Sequence, residues 1–328
     1  MSNYGKLNIK ELSALAFGPV PYLLEEFIPE KSLGILVGEW GIGKSPFALQ
    51  LQLSIASGIP FLGKYKIKKD NIKTLYIDLE NGAHPVLWMI TSISKHLGIA
   101  TPDNWSVYSP NYVGRIKELQ QLSEDVYVRN MLREEKFDFI VIDPLRMYKP
   151  EAESKNSEAA AMIHELRELI AEIGCSIMFI HHPRKQGADP SIQRYKLESN
   201  PTGWMANACG AASLVQNADF RIGLEQNEDG YIVLRHFLRN KGWMPAEFLD
   251  RSYDIESDEP LGYYIDNSAN AVTALERSWL NDLPATFMTK DFKQISRKNN
   301  NKAVNDALKR LSDLGALKKA AYGTWIKL

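Results

Sequence analysis

The chain has 328 residues, of which 45% are hydrophobic and 24% are charged, and its formal net charge is −1. This composition is that of a globular protein, and the length fits one large domain and a small one. No apolar run reaches the roughly 18 residues of a membrane span, and the N-terminal MSNYGKLNIKEL lacks the apolar core of a signal peptide, so we expect a cytoplasmic protein. Two cysteines, Cys175 and Cys209, are predicted to be buried free thiols in a reducing compartment, which excludes a disulfide framework.

The charge is unevenly distributed. Residues 286–328 carry ten Lys or Arg against three Asp, a net charge of +7, and the rest of the chain therefore carries −8. A basic tail on an acidic body favours a nucleic-acid partner. The alternative is a lysine-rich face that is merely solvated.

Six short apolar runs bounded by turn residues predict buried strands. The runs are LGILVG (33–38), IKTLYIDLE (72–80), FDFIVID (137–143), CSIMFIHH (175–182), ADFRIGL (218–224) and YIVLRHFL (231–238). Helical patterns lie between them, from Pro46 to Gly58 and from Glu158 to Gly174. Strands that alternate with helices predict an α/β fold with a largely parallel central sheet and crossover helices. The last two runs are close enough in sequence to form an antiparallel hairpin.

Two polar stretches, 145–158 and 183–204, follow the third and fourth runs without a clear period, so we expect long loops there. Near residue 266 the pattern changes to short helices followed by a basic hairpin. This pattern predicts a small winged helix-turn-helix domain at 266–328, after a first domain at 1–265. A helix near Lys302–Leu314 is its expected recognition helix.

The first apolar run leads into GEWGIGKS, which matches the phosphate-binding pattern G-x-x-x-x-G-K-[ST]. The glycines let backbone N–H groups wrap a phosphate without a Cβ in the way, and the next helix directs its N-terminus at the anion. Lys44 is predicted to reach the β- and γ-phosphates and Ser45 to bind Mg²⁺, so ATP and Mg²⁺ are the expected ligands. Proline at 46 is tolerated in a first helical turn. The predicted nucleotide-binding residues are Gly38, Gly41, Gly43, Lys44, Ser45 and Pro46.

Carboxylates and histidines end the later apolar runs. Asp143 ends FDFIVID and is predicted to hold Mg²⁺, directly or through water. Glu80 ends IKTLYIDLE and is predicted to orient and deprotonate the attacking water, with Asp78 as the competing base. His181 and His182 end CSIMFIHH, where one side chain would contact the γ-phosphate; neighbouring strand residues point to opposite faces, which argues against a metal pair. The alternative for each is a strand-end residue without a function.

The segments GEWGIGKSPFALQLQLSIASGIPFLG, LYIDLEN, FIVIDPL and MFIHHPRKQG occur in an order and spacing that resembles the RecA-type ATPases of the plasmid RepA helicase group. The resemblance covers residues 19–242 and implies a RecA-like fold, ATP hydrolysis and a ring that is often hexameric. It implies that Glu80 is the catalytic carboxylate, that Asp143 is the Walker B residue, and that His181 takes the γ-phosphate sensor position.

RecA-type rings complete each active site with cations from the neighbouring subunit, and related ring helicases carry a K-x-R pair after a late strand. This chain has Arg239-Asn-Lys241-Gly242 there, in reversed order. Arg239 and Lys241 are therefore both candidates for the cation that stabilises transition-state charge, an effect of about 10³–10⁵ in rate. Arg221 and Arg184 are rivals, and the alternative is a pair of exposed strand-end charges.

Contacts with DNA are expected from the two polar stretches and from the tail. The candidate phosphate-binding residues of the stretches are Arg146, Lys149, Lys155, Arg184, Lys185, Arg194 and Lys196. Tyr148 or Tyr195 would stack on bases. In the tail, Lys318, Lys319 and Lys327 are expected to bind phosphates, while a winged helix also serves as a protein-interaction module.

The sequence therefore predicts an ATPase that acts on single-stranded or duplex DNA and assembles as a homo-oligomer. The first hypothesis is a hexameric helicase for DNA replication of a mobile element or similar replicon, with a replication initiator or primase as a further partner. Two alternatives stay open. One is a nucleotide-switched DNA-binding or recombination-mediator ATPase without processive unwinding, and the other is a regulatory ATPase with a protein-binding tail.

Overall fold

The structure, a computed structural model, describes residues 8–14, 20–109, 126–183, 195–209, 211–227, 230–257, 259–266, 274–298, 300–313 and 316–328. The helices are α1 (Ile9–Ala14), α2 (Lys44–Ala56), α3 (Ala83–Leu97), α4 (Val126–Glu135), α5 (Leu145–Tyr148), α6 (Asn156–Ile173), α7 (Pro201–Ala208), α8 (Ala212–Gln216), α9 (Ala274–Asp282), α10 (Thr289–Ser296) and α11 (Asn301–Asp313), and a 3₁₀ turn lies at Pro150–Glu153.

The strands before residue 200 are β1 (Tyr22–Leu24), β2 (Ile28–Pro29), β3 (Leu33–Gly38), β4 (Thr74–Asp78), β5 (Trp105–Tyr108), β6 (Phe139–Asp143) and β7 (Ser176–His181). The later strands are β8 (Phe220–Gln226), β9 (Ile232–Leu238), β10 (Gly242–Trp243), β11 (Glu247–Tyr253), β12 (Pro260–Ile265), β13 (Thr286–Met288), β14 (Leu317–Ala321) and β15 (Thr324–Lys327).

A ten-stranded sheet has the strand order β12-β11-β9-β8-β3-β7-β6-β4-β5, with β10 paired to β9. All pairings from β8 to β5 are parallel. Strands β3, β4, β6 and β7 are buried along their whole length, as in a sheet covered on both faces. The expected α/β fold with a largely parallel central sheet is confirmed.

The register of the sheet brings several strand ends to one edge. Asp78 at the end of β4 pairs with Asp143 at the end of β6. His181 at the end of β7 pairs with Val37 in β3, one residue before the glycine-rich loop. In parallel sheets of this kind, ligands bind at the carboxyl ends of the strands. Residues far apart in the sequence therefore meet beside the loop.

Two local expectations differ from the structure. The run IKTLYIDLE ends as a strand at Asp78, so Glu80 lies beyond β4. The stretch 145–158 is not irregular, because it contains α5, the 3₁₀ turn and the start of α6. Its apolar residues Leu145, Tyr148 and Ala152 are buried, which holds these short turns against the sheet.

Strands β10, β11 and β12 were not predicted. The segment EFLDRSY mixes apolar and charged residues and is buried only in its first half. The segment PLGYYI has no charged residue, but proline and glycine interrupt its apolar run, and only its two central residues are buried. Cys175 and Cys209 are buried free thiols, as predicted. Within the described ranges, no helix is long and apolar enough to cross a bilayer.

The chain divides into two compact units. The larger consists of residues 1–225, 233–246 and 251–264, and the smaller of residues 226–232, 247–250 and 265–328. The smaller unit contains helices α9, α10 and α11 and an antiparallel sheet of order β13-β15-β14. Its core includes Phe287, Phe292, Leu308 and Trp325.

A buried glutamine fastens β12 to α2 in the larger unit. The Gln50 amide nitrogen donates to the main-chain carbonyl of Tyr263 at 2.8 Å, and its carbonyl accepts from the Tyr263 N–H at 2.7 Å. We expect Gln50→Leu to leave the buried Tyr263 N–H without this partner, while the carbonyl keeps its hydrogen bond with His96 Nε2 at 3.1 Å. The free energy of unfolding should therefore fall by about 1–3 kcal/mol. Urea unfolding measures this change. The exposed Gln226→Leu is the control, with an expected change under about 1 kcal/mol, and equal midpoints for the two variants would contradict the prediction.

Candidate functional site

The glycine-rich loop joins the end of β3 to the start of α2. Gly41 and Gly43 have φ angles of 79° and 91°, in the left-handed region that residues with a side chain rarely adopt. Gly43 is the N-cap residue of α2, and no side chain caps this helix. The first N–H groups of α2 therefore lack intrahelical partners at the loop, an arrangement that favours an anion such as phosphate.

Lys44 begins α2 and is only 3% exposed. Its ammonium group donates a hydrogen bond to the main-chain carbonyl of Glu39, 2.8 Å away. Burial lowers the pKa of Lys44 to about 8, although the nearby carboxylates of Asp143 and Glu80 act in the opposite direction. The loop thus holds a poorly hydrated cation beside the anion-binding end of α2.

Asp143 ends β6 and is 2% exposed. The Tyr76 hydroxyl, from β4, donates a hydrogen bond to its Oδ2, and the Ser45 side chain also hydrogen-bonds to the carboxylate. Burial raises the pKa of Asp143 to about 6, although both hydrogen bonds act to lower it. A buried carboxylate next to a hydroxyl is a set of hard oxygen donors that fits Mg²⁺. The sequence analysis gave Tyr76 no role, because the contact depends on the pairing of strands.

Glu80 lies two residues beyond β4, with its side chain about half exposed. Its Oε2 is 4.0 Å from Nε2 of His182. Asp78, the competing base, accepts hydrogen bonds from the main-chain N–H groups of Asn81 and Gly82 at 3.0 and 2.7 Å. The oxygens of Asp78 are thus engaged with the turn, whereas the Glu80 side chain is accessible to a water molecule.

The two histidines at the end of β7 face different carboxylates. His181 is 1% exposed, and its Nδ1 lies 3.3 Å from Oε1 of Glu153. Both ring nitrogens of His181 are buried, and neither makes a hydrogen bond among the described residues. Nε2, which does not face Glu153, is therefore left for the predicted contact with a phosphate oxygen. His182 faces Glu80 instead, and burial lowers its pKa to about 4, so that its imidazole is neutral at pH 7.

Two residues from the β11–β12 hairpin contact the main chain of the loop. Arg251 donates a hydrogen bond to the carbonyl of Ile42 at 2.9 Å, and the Tyr263 hydroxyl donates one to the carbonyl of Gly43 at 3.0 Å. A Cβ at Gly43 would overlap both side chains. No local pattern predicts these contacts, since the partners are 209 and 220 residues apart.

Arg239 and Lys241 lie away from these groups. The N–H of Arg239 donates to the carbonyl of Asp219, which is adjacent to the start of β3. The glycine-rich loop follows the opposite end of β3, so Arg239 lies at the other edge of the sheet. Its guanidinium is 3.5 Å from the Asp219 carboxylate, and Lys241 forms an ion pair with Glu26. Neither side chain therefore lies at the glycine-rich loop of its own chain.

The rival cations and the DNA-contact candidates differ in accessibility. The Arg221 guanidinium stacks on the Phe237 ring, 4.1 Å from its centroid, which holds it within the fold. Tyr148 is 2% exposed and is not available for stacking on bases. The Tyr195 ring lies against Gly203. The exposed cations are Arg146, Lys155 and Lys196, and Lys149 is half-buried. The residues Arg184, Lys185 and Arg194 lie outside the described part of the chain.

The basic residues of the smaller unit fall into two groups. Lys318 and Lys319 are exposed on β14. Lys327 instead donates hydrogen bonds to the carbonyls of Leu280 and Leu283, at 2.7 and 2.6 Å. It stabilises the end of α9, so the expected phosphate contact of Lys327 does not fit its position.

Two comparisons with known proteins found similar sequences or structures. A family model described as AAA domain matches residues 3–188. Among solved structures, the chain is similar to the KaiC-like protein PH0186 from the hyperthermophilic archaeon Pyrococcus horikoshii OT3, at 14% identity and a TM-score of 0.48. That match covers 76% of this chain and 100% of the other.

The buried position of Lys44 predicts that nucleotide affinity depends on pH. Its pKa is about 8 without ligand, and bound phosphates raise it, so binding above pH 8 must include uptake of a proton. We expect the Kd of a fluorescent ATP analogue to be about tenfold higher at pH 9 than at pH 7. Lys44→Met is the control, which should bind more weakly and lose this dependence. The same tenfold change in the variant would contradict the assignment.

Proposed function

We propose that this chain, which belongs to the AAA domain family, is a P-loop ATPase that couples hydrolysis of ATP to movement or remodelling of DNA. The ATPase activity in this proposal rests on the residues that meet at one edge of the sheet. There the glycine-rich loop, the buried Lys44, the Ser45–Asp143 pair and the accessible Glu80 come together. Each is a part that phosphoryl transfer to water needs: a phosphate cradle, a cation, a metal site and a base.

The chemistry assigned to these residues is an in-line attack of water on the γ-phosphate. The N–H groups of the loop and Lys44 bind the β- and γ-phosphates and withdraw charge from them. Ser45 and Asp143 hold Mg²⁺, which supplies neutralisation of the phosphate charge when it is bound. Glu80 orients the attacking water and accepts its proton. His181 contacts the γ-phosphate through Nε2 and distinguishes ATP from ADP.

The DNA part of the proposal rests on charge and on the smaller unit. The pattern of α9, β13, α10, α11 and the β14–β15 hairpin supports a winged helix, with α11 as the recognition helix. Lys302, Asn305 and Lys309 are exposed on α11, one helical face that suits phosphates and base edges. Lys318 and Lys319 on the hairpin add positive charge.

The position of Arg239 and Lys241 supports a homo-oligomer. Both lie at the sheet edge opposite to the glycine-rich loop of their own chain. In a ring of identical subunits, that edge is available to complete the neighbouring active site, where a cation stabilises transition-state charge. We propose a ring helicase for a mobile element or similar replicon, with an initiator or primase as a further partner.

ATP turnover with and without single-stranded DNA tests this function. We expect DNA to stimulate ATP turnover of the wild-type chain by about tenfold or more, because a DNA motor hydrolyses ATP rapidly only when it is bound to DNA. Slow turnover with ATP-dependent DNA binding would instead favour a nucleotide-switched DNA-binding or recombination-mediator ATPase. Turnover that DNA leaves unchanged would contradict the DNA motor and favour a regulatory ATPase whose tail binds a protein.

A further inference from the structure

We propose that Glu153 is a positioning residue that links His181 to the segment 145–154, so that occupancy of the γ-phosphate site sets the position of this segment. The segment comprises α5 and the 3₁₀ turn. The inference rests on the proposed function in one respect, namely that His181 contacts the γ-phosphate of ATP. The inference adds a way in which bound nucleotide could change the segment 145–154, which contains residues predicted to contact DNA.

The first step of the argument is the contact itself. Glu153 ends the 3₁₀ turn, and its Oε1 lies 3.3 Å from Nδ1 of His181. The side chain of Glu153 is 20% exposed and that of His181 is 1% exposed, so water screens this pair weakly. Burial acts to raise the pKa of Glu153, but the two histidines and Arg146 outweigh it and leave that pKa lowered. The carboxylate is therefore ionised and turned toward the end of β7.

The second step is the place of His181 beside the phosphate site. His181 pairs with Val37, the residue before Gly38, in the sheet. Neither Nε2 nor Nδ1 makes a hydrogen bond among the described residues, so the 3.3 Å contact with Glu153 is an approach of charges that can still tighten or loosen. An imidazole has two nitrogen atoms on opposite sides, so a phosphate oxygen at Nε2 and a carboxylate at Nδ1 can be held at once. A ligand at one nitrogen changes the charge and orientation that the other presents to Glu153.

The third step is the mechanical connection. Leu145, Tyr148 and Ala152 are buried, which makes 145–154 a packed piece of structure that can shift as a unit. Two charged side chains of this segment point in different directions. Arg146 is exposed and near enough to act on the pKa of Glu153, whereas Glu153 itself faces inward. A change in the charge or orientation of His181 therefore acts on the carboxylate of Glu153, and through it on the exposed guanidinium of Arg146.

The two acids of this turn have different surroundings. Glu153 is directed away from solvent toward His181. Glu151, two residues earlier in the same turn, is exposed. It has the same charge and the same local structure without the contact, which makes it a matched control.

Hydrogen exchange of the segment tests the inference without DNA. We expect Mg²⁺ with a non-hydrolysable ATP analogue to change exchange of the 145–154 amides by at least about threefold relative to Mg²⁺ with ADP in the wild-type chain. Glu153→Gln keeps the shape of the side chain but removes its charge, and should abolish this difference. Glu151→Gln should retain the difference, and Glu153→Asp should restore part of it.

Two results would overturn the inference: a nucleotide-dependent difference that persists in Glu153→Gln, or no difference in the wild-type chain. Thermal unfolding shows whether the Gln variant is folded, and Glu153→Asp decides the matter if it is not. The turnover assay with DNA separates the two proposals. If DNA leaves wild-type turnover unchanged, the DNA motor fails, while the exchange experiment still decides whether Glu153 relays the nucleotide state.

Discussion

Two opposite charges are buried at one edge of the sheet, and the rest of the structure is arranged around this constraint. The Lys44 ammonium and the Asp143 carboxylate are both almost completely removed from water. Burial shifts each pKa toward the neutral form, to about 8 for the lysine and about 6 for the carboxylate. A charge in such a place is stable only when it is compensated. A triphosphate with a divalent cation supplies both compensating charges at once, which is why this edge fits nucleotide so well.

The fold keeps these charges in place through contacts from distant parts of the chain. Parallel pairing brings the ends of β3, β4, β6 and β7 together. Tyr76 hydrogen-bonds to the metal-site carboxylate, while Arg251 and Tyr263 fix the loop carbonyls from the other side. Gln50 in turn holds the backbone of Tyr263 to α2. The loop and the buried carboxylate are therefore held in place by residues from distant parts of the chain.

The sequence predicts the parts of this site that are local. The glycine pattern, the buried runs and the residues that end them are sufficient for the loop, the parallel sheet and the meeting of Lys44, Ser45 and Asp143. It does not predict Tyr76, Glu153, Arg251 or Tyr263 as site residues, because their partners are far away in the chain and no period marks them. The stretch 145–158 is predicted to be a loop, but it contains short helical turns. A helix of one turn is too short to show a periodic pattern in the sequence, so such turns are recognised only from the burial of their residues in the structure. Strand β11 is missed because its charged residues interrupt the apolar pattern, and β12 because proline and glycine interrupt a short run.

The central claim is that Glu80 is the base for ATP hydrolysis at this edge of the sheet. The most direct measurement is single-turnover hydrolysis of ATP by Glu80→Gln, together with its affinity for a fluorescent ATP analogue. We predict hydrolysis at least about 100-fold slower than in the wild-type chain, because the general base is lost. The affinity should stay within about threefold, because the phosphate cradle and Lys44 are intact. Hydrolysis at the wild-type rate would contradict the account, since the base would then lie elsewhere.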